Sequence, residues 1–170
     1  MIQSIDNFFP NFDLILKEAK RVPLYDLKWH KKLGTKYNQG NWPGLRSDDL
    51  TETNPALITL FLNILKQHNM VSRNIKSLTS CIHLRGVKDE ANDWMHKDDS
   101  LVSGLLYLNE TNLNSGTKLY DDNKNETANF KYVQNRYIQF PGPMNHAAYG
   151  HFGNNVDDGR LTLNIFFYET

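Results

Sequence analysis

The sequence has one cysteine, Cys81, among its 170 residues. A lone cysteine cannot form an internal disulfide, which excludes the class of small disulfide-stapled secreted proteins and favours a reducing compartment. The first residues lack a basic stretch followed by an apolar one, and no run of about 18 apolar residues occurs, so neither a signal peptide nor a membrane-spanning helix is predicted. We therefore expect a soluble protein with a cytoplasmic location.

An excess of charge of one sign is also missing, because lysine and arginine together number 19, as do aspartate and glutamate. No overall field would draw the chain to nucleic acid or to a membrane. One local cluster combines Lys28, Lys31, Lys32 and Lys36 with Trp29 and Tyr37. Proteins that bind single-stranded nucleic acid use such patterns, but a solvated loop explains the cluster more simply. The sequence carries no strong sign of a nucleic-acid partner.

The length and the hydrophobic fraction of 39% suit one domain, and we expect residues 1–170 to form it. Residues 1–75 show helical spacing of apolar side chains. One helix is predicted over 11–19, and another begins after Asn54, with Asn54 as N-cap and Pro55 as the first helical residue. Residues 28–49 are rich in glycine and proline and predict an irregular loop or a broken strand.

Residues 76–170 change to short alternating or apolar runs separated by turn residues, which is typical of an all-β sandwich or barrel. The predicted strands are 78–85, 94–97, 101–109, 116–121, 130–133, 136–140, 146–150 and 160–168. The predicted fold class is therefore mainly β with flanking helices (α+β), in which the N-terminal helices pack on a small barrel or jelly roll.

His96 and Asp98 lie two residues apart, so on an extended strand both side chains leave the same face and can bind one metal ion. About one such pair is expected by chance in this composition, and a surface histidine beside a solvated aspartate is the alternative. His146 follows a Pro/Gly turn at the start of a new strand. Two histidines and one carboxylate form the triad of non-haem iron(II) oxygenases, which leaves positions for a chelating 2-oxo acid and for dioxygen.

The last predicted strand has two different faces. Arg160, Thr162 and Asn164 share one face, and the opposite face is apolar. A buried arginine needs an anionic partner, and its planar guanidinium matches a carboxylate. That partner is either an acid elsewhere in the chain, such as Asp121 or Asp122, or a bound small dicarboxylate. The hydroxyl of Thr162 favours the dicarboxylate.

The order of these motifs resembles the iron(II)/2-oxoglutarate-dependent oxygenase superfamily, and within it the prolyl-hydroxylase-like group with its small and phage-type members. The resemblance covers about residues 80–168. It rests on His96-x-Asp98, Ser103-Gly-Leu-Leu-Tyr-Leu-Asn109, Gly116-Thr117, Phe140-Pro-Gly-Pro-Met-Asn-His146 and Arg160-Leu-Thr162. The fold that it implies is a double-stranded β-helix, a jelly-roll architecture shared with the cupins.

The resemblance also implies roles for individual residues. His96, Asp98 and His146 would bind iron(II), and Arg160 would pair with the distal carboxylate of 2-oxoglutarate, helped by hydroxyl groups of Thr162 and Tyr107. Without the resemblance, Tyr107 would be read as a core residue. His151 is the alternative distal ligand. Because it lies five residues after His146, the two would face opposite sides of one strand.

The implied activity is hydroxylation of an unactivated C–H bond by dioxygen, coupled to decarboxylation of 2-oxoglutarate to succinate. A peptidyl prolyl or related residue is the leading substrate, and a nucleobase or a free small molecule is the alternative. A non-catalytic cupin-like module that binds a metal or another ligand is an alternative of a different class. Neither the substrate nor the oligomeric state follows from the sequence.

Two further features leave alternatives open. Residues 86–95 predict either a lid or a solvated loop. A rim around the site is predicted from side chains that could equally be core or solvated, namely Tyr37, Trp42, Arg46, Arg85 and Trp94.

Overall fold

The computed structural model describes residues 1–70 and 75–169, which form two antiparallel sheets with helices on one side. The α-helices are α1 (Phe12–Arg21), α2 (Leu27–Leu33), α3 (Leu50–Thr53) and α4 (Pro55–Gln67), and a 3-10 helix spans Val87–Asn92. The strands are β1 (Gln3–Ile5), β2 (Leu45–Arg46), β3 (Ser77–Arg85), β4 (Val102–Tyr107), β5 (Asn112–Tyr120), β6 (Glu126–Tyr132), β7 (Tyr137–Pro141), β8 (Asn145–Tyr149) and β9 (Arg160–Tyr168). Among the described residues, no helix is long and apolar enough to cross a membrane.

The larger sheet has six strands in the order β1-β7-β4-β9-β3-β2, and the smaller has three in the order β6-β5-β8. Every strand pair is antiparallel. The prediction of a mainly β chain with N-terminal helices is confirmed. Side chains of both sheets meet in an apolar cluster made of Tyr107, Leu119, Tyr132, Ile138 and Phe140. The sheets are therefore packed face to face, with the interior between them.

Helices α1 and α4 cover the outer face of the six-stranded sheet. The amide of Leu57 donates to the side chain of Asn54, and Pro55 occupies the first turn, as predicted for the start of α4. The buried face of α4 carries Leu57, Ile58, Phe61 and Leu65. These side chains join the outward-facing residues of β9 in the main hydrophobic core.

Strand β9 separates this core from the space between the sheets. Its outward residues Leu161, Leu163, Ile165 and Phe167 belong to the helix-covered core, as their alternation predicts. Its inward residues pair directly with polar residues of β3: Arg160 lies opposite Arg85, and Thr162 lies opposite His83. This register places cationic and hydroxyl side chains on the inner wall, where the candidate site lies.

Several local features differ from the sequence-based expectation. Helix α2 overlaps the range 28–49, where a loop or a broken strand was expected. It forms because Asp26 caps it at the amide of Trp29 and Gly34 ends it in the left-handed conformation. Strand β1, which was not predicted, pairs with β7. The predicted strand 94–97 is reduced to one bridge between His96 and His146. Strand β5 begins earlier than predicted, before a bulge.

The packing of α4 predicts that two neighbouring residues of this helix differ greatly in their contribution to stability. Phe61 is fully buried against Phe8, Phe9 and Tyr137, whereas the side chain of Leu60 is 53% exposed. We expect Phe61→Ala to lower the free energy of unfolding by about 3–5 kcal/mol and Leu60→Ala to change it by about 0.5 kcal/mol or less. Urea denaturation of both variants measures this, and similar losses would contradict the packing described.

Candidate metal centre

The three predicted metal ligands lie together between the sheets. His96 and His146 face each other across a two-residue bridge, with both backbone N–H···O distances at 2.9 Å. The carboxylate of Asp98 contacts both rings: Oδ1 is 3.8 Å from His96 Nε2, and Oδ2 is 3.4 Å from His146 Nε2. One donor atom from each residue lies within 4.8 Å of the others. In the part of the chain that the structure describes, this is the one cluster of three such ligands.

The hydrogen bonds of the two rings show which nitrogen faces the cluster. His96 Nδ1 lies 2.9 Å from the carbonyl oxygen of Trp94, and His146 Nδ1 lies 2.9 Å from that of Met144. A carbonyl oxygen only accepts, so each Nδ1 carries a proton, and Nε2 is the nitrogen that faces the cluster and serves as ligand in the neutral ring. Burial, with the nearby His96, lowers the pKa of His146 despite the Asp98 charge, which favours the neutral, metal-binding form.

This donor set fits a divalent transition metal. Two Nε2 atoms and a carboxylate converge on one point, where a divalent cation would accept the two nitrogen lone pairs and compensate the carboxylate charge. Two imidazoles and one carboxylate suit iron(II), and the backbone carbonyls that hold Nδ1 orient the rings as outer-shell partners do in metal sites.

A pair of serines orients the carboxylate of Asp98. Ser103 Oγ donates to Asp98 Oδ2 at 2.5 Å, and Ser100 Oγ lies 2.9 Å from Ser103 Oγ. Both serines are buried. Neither serine had a role predicted from the sequence, although Ser100 lies two residues and Ser103 five residues after Asp98; the contact of Ser103 with the carboxylate is visible only in the fold.

Arg160 is a buried cation, 1% exposed, with neutral partners. Its Nη2 donates to the carbonyl oxygen of Gly116 at 3.0 Å and to Thr117 Oγ1 at 3.2 Å. Its Nε has no hydrogen-bond partner, and no carboxylate of the described residues lies within ion-pair distance. The suggested pairing with Asp121 or Asp122 is wrong, because those carboxylates accept from Asn125 and from Lys97, respectively.

The two hydroxyl groups expected beside Arg160 have different surroundings. Tyr107 Oη donates to Thr117 Oγ1 at 2.8 Å, and the Tyr107 ring lies 5.8 Å from the Arg160 guanidinium carbon. Thr162 Oγ1 instead donates to Asn164 Oδ1 at 2.8 Å. Thr117, which belongs to the Gly116-Thr117 motif but had no role predicted from the sequence, accepts from Arg160 and is in contact with Tyr107 Oη. Ser115, Thr117 and Leu119 follow one another at a spacing of two residues, and all three are buried. This spacing is the sequence signal that could have shown that Thr117 faces inward.

Two neighbouring cavities share the metal-ligand residues His96 and Asp98 in their walls. The inner one has a free space of about 420 Å³, part of it open to solvent, and its walls include Thr117, Asn164 and Phe140. The outer one, of about 790 Å³, is lined by four of the predicted rim residues, Trp42, Arg46, Arg85 and Trp94. His96, Asp98, Arg46 and Arg85 line both cavities. Of the predicted rim residues, Tyr37 lines neither; it is buried behind Arg46.

Comparison with known proteins found no match to a family model and none to a curated protein. Solved structures do match. A prolyl-4-hydroxylase of Pseudomonas putida is 13% identical with a TM-score of 0.57, over 98% of this chain and 91% of that one. A prolyl 4-hydroxylase of Phytophthora capsici is 18% identical with a TM-score of 0.62, over 98% and 58%. An oxidoreductase of the 2OG-Fe(II) oxygenase family from Burkholderia pseudomallei is 12% identical with a TM-score of 0.59, over 99% and 84%.

The chain has the fold of the 2OG-Fe(II) oxygenases. The predicted double-stranded β-helix is thereby confirmed, and so is the likeness to proteins of the prolyl-hydroxylase group. At these identities the likeness concerns the fold, and the assignment of residues rests on the geometry of this chain.

The structure does not bring His151 to the metal ligands. His151 is buried with Nε2 2.8 Å from Asp93 Oδ2, and Asp93 also lies 3.3 Å from Arg85 Nη1. The backbone amide of His151 donates to Glu90 Oε2 at 2.6 Å. Both acids belong to residues 86–95, so these contacts hold that segment against the sheet next to the outer cavity.

The contacts of Asp93 predict that its contribution to the free energy of unfolding depends on pH. Burial alone would raise the pKa of Asp93, but the hydrogen bond from His151 and the charge of Arg85 lower this pKa to about 2, from an ordinary value of 3.8. A lowered carboxyl pKa stabilises the fold above the unfolded-state pKa and ceases to do so as pH falls through the folded-state value. We expect Asp93→Asn to cost about 2 kcal/mol at pH 7, with the difference from wild type closing between about pH 4 and pH 2.

Urea denaturation at pH 7, 4 and 3 checks this expectation. Asp157→Asn is the matched control, because the Asp157 carboxylate pairs with Lys20 but is 78% exposed, and it should change the unfolding free energy little at any pH. A difference for Asp93→Asn that stays constant with pH would rule out the ionic role of this carboxylate.

Proposed function

We propose that the protein is an iron(II)- and 2-oxoglutarate-dependent dioxygenase that hydroxylates an unactivated C–H bond and converts 2-oxoglutarate to succinate. The observation that supports this most directly is the convergence of His96 Nε2, His146 Nε2 and the Asp98 carboxylate on one point at the wall of a cavity. When bound there, iron(II), 2-oxoglutarate and dioxygen supply the oxidising chemistry.

The chain's own residues hold and orient the reactants. His96 and His146 bind the metal through Nε2 because carbonyl oxygens fix the proton on Nδ1. Ser103 holds the carboxylate of Asp98 in its ligand orientation by a charge-assisted hydrogen bond. The apolar walls formed by Leu105, Phe140 and Phe166 keep bulk water away from the reacting atoms.

Arg160, Thr117 and Tyr107 are proposed to bind the distal carboxylate of 2-oxoglutarate. Arg160 is a buried cation without an acid, and a ligand carboxylate would compensate its charge. Thr117 Oγ1 accepts from Arg160, lies 2.8 Å from Tyr107 Oη and lines the cavity, so its hydroxyl is placed to contact the ligand carboxylate. Thr162 remains a predicted contact of that carboxylate; in this structure its hydroxyl orients Asn164, which lines the cavity.

A peptidyl prolyl or related residue is the substrate suggested by the prolyl-hydroxylase neighbours, and a free small molecule is the second candidate. Two tryptophans, Trp42 and Trp94, line the outer cavity and offer apolar contact to either. A cytoplasmic location is also proposed, because the only cysteine, Cys81, is a free, buried thiol.

Anaerobic titration with iron(II) followed by 2-oxoglutarate tests the proposed function. The wild type should develop a weak visible charge-transfer band and, in air, form succinate. His96→Ala and His146→Ala should lose both, because each removes one metal ligand. His151→Asn should keep the band, and His68→Ala, an exposed position far from the cluster in sequence, is the neutral control. Absence of both band and succinate in the wild type would favour a non-catalytic binding module.

The role of Thr117 gives a separate test. We expect Thr117→Val to raise the 2-oxoglutarate concentration for half-maximal charge-transfer absorbance by about tenfold or more, since it removes a hydrogen bond to a charged group worth roughly 1.5–3 kcal/mol. The iron(II) affinity should stay unchanged. Thr127→Val is the control, because its hydroxyl donates to the carbonyl of Leu119 and does not line the inner cavity. Equal weakening in both variants would remove Thr117 from the co-substrate site.

A further inference from the structure

A second cationic group, Arg46, lines both cavities beside the metal ligands. Strand β2 places Arg46 opposite His83 of β3, on the inner side of the sheet. Its guanidinium carbon lies 4.5 Å from the centroid of the Trp42 ring. Trp42 is itself fixed, because its indole N–H donates to the carbonyl oxygen of Tyr37 at 3.0 Å. The guanidinium therefore rests on a rigid aromatic surface and faces the cavities.

Arg46 has no counter-ion among the residues that the structure describes. Arg85 pairs with Asp93, Lys36 with Asp49, and Arg136 with Asp6, but no ion pair or side-chain hydrogen bond involves the Arg46 guanidinium. Its Nε is buried without a hydrogen-bond partner, and burial lowers its pKa. A partly buried guanidinium whose Nε has no partner is stabilised when an anion joins it.

Arg46 and Arg85 line both cavities, but their charges are met differently. Arg85 lies 3.3 Å from Asp93, whereas no carboxylate of the described residues lies within ion-pair distance of Arg46. Arg160 is the residue proposed to bind the distal carboxylate of 2-oxoglutarate. The anion that Arg46 would bind is therefore one that the substrate brings.

We propose that Arg46 binds a free carboxylate of the substrate, with Trp42 supporting the guanidinium. The substrate is then a carboxylic acid whose reacting C–H bond lies near that carboxylate: a free amino acid or the C-terminal residue of a peptide, and not an internal residue of a polypeptide. That the bound carboxylate belongs to a substrate rests on the proposed function, whereas the binding of a carboxylate by Arg46 does not.

Trp42 provides a reporter that is independent of turnover. In a Trp29→Phe/Trp94→Phe background, Trp42 is the sole tryptophan, and its fluorescence is measured during titration with sodium acetate at constant ionic strength. The titration is run on metal-free protein and on protein loaded anaerobically with iron(II) and 2-oxoglutarate. We expect a saturable change in both states, and none with acetamide, the neutral analogue of acetate.

Arg46→Met should raise the half-saturating acetate concentration at least tenfold, and Arg46→Lys should raise it less because the charge remains. Arg21→Met, which removes an exposed arginine, should leave it unchanged. Circular dichroism confirms that each variant is folded, and Arg46→Lys keeps the test open should Arg46→Met fail to fold. An acetate response that survives in folded Arg46→Met, or the absence of any saturable response, would overturn the subsite.

Loading with 2-oxoglutarate separates this inference from the proposed function. If 2-oxoglutarate abolishes the acetate response, Arg46 binds the co-substrate and the substrate subsite is wrong. If the protein binds neither iron(II) nor 2-oxoglutarate but keeps the response, the proposed function fails and the anion site stands.

Competition then identifies the source of the carboxylate. If L-proline displaces acetate at a lower concentration than the tripeptide Ala-Ala-Pro does, the carboxylate belongs to a free amino acid. If the tripeptide acts at the lower concentration, the carboxylate belongs to a chain terminus. Equal displacement by L-prolinamide, or by a peptide with internal proline and blocked ends, would refute the requirement for a free carboxylate.

Discussion

The antiparallel pairing of β3 with β9 is the constraint on which both the core and the site depend. In this register Arg85 lies opposite Arg160 and Leu84 opposite Leu161, so polar and apolar side chains separate cleanly to the two faces. A slip by one residue would turn Arg160 toward the helices and Leu161 toward the cavity. The register is held because the apolar face is covered by α1 and α4. Packing on the outer face thus fixes the chemistry of the inner face.

The same register creates an electrostatic problem, because two arginines lie directly opposite each other, and like charges in that position repel. The two arginine charges are stabilised in different ways. Arg85 pairs with Asp93, for which residues 86–95 must fold back in a 3-10 helix. Arg160 has only a carbonyl, a hydroxyl and two tyrosine rings. A charge satisfied by neutral dipoles remains able to bind an incoming anion, whereas the Arg85 charge is already neutralised.

Much of the fold could be predicted from local patterns in the sequence. The alternation in β9 and the Asn54-Pro55 start of α4 depend on neighbours in sequence, and both were predicted. The three candidate ligands were also chosen from sequence, and they lie together, although their binding of iron remains a prediction. The partners of His151 and the contact of Ser103 with Asp98 were missed, because they depend on which distant segments the sheets bring together. The order of motifs along the chain predicts contacts between distant segments only where a resemblance to a known family implies them.

Folding and binding are coupled in this interior. Placing Arg160 in the interior, and Arg46 partly buried, without acids opposes folding, and the apolar surface under α1 and α4 offsets that cost. An anion that binds either guanidinium compensates its charge, and such binding therefore stabilises the folded state. Apolar side chains at these two positions would make the fold more stable and remove its affinity for carboxylates. The unpaired arginines are therefore better explained by ligand recognition than by stability.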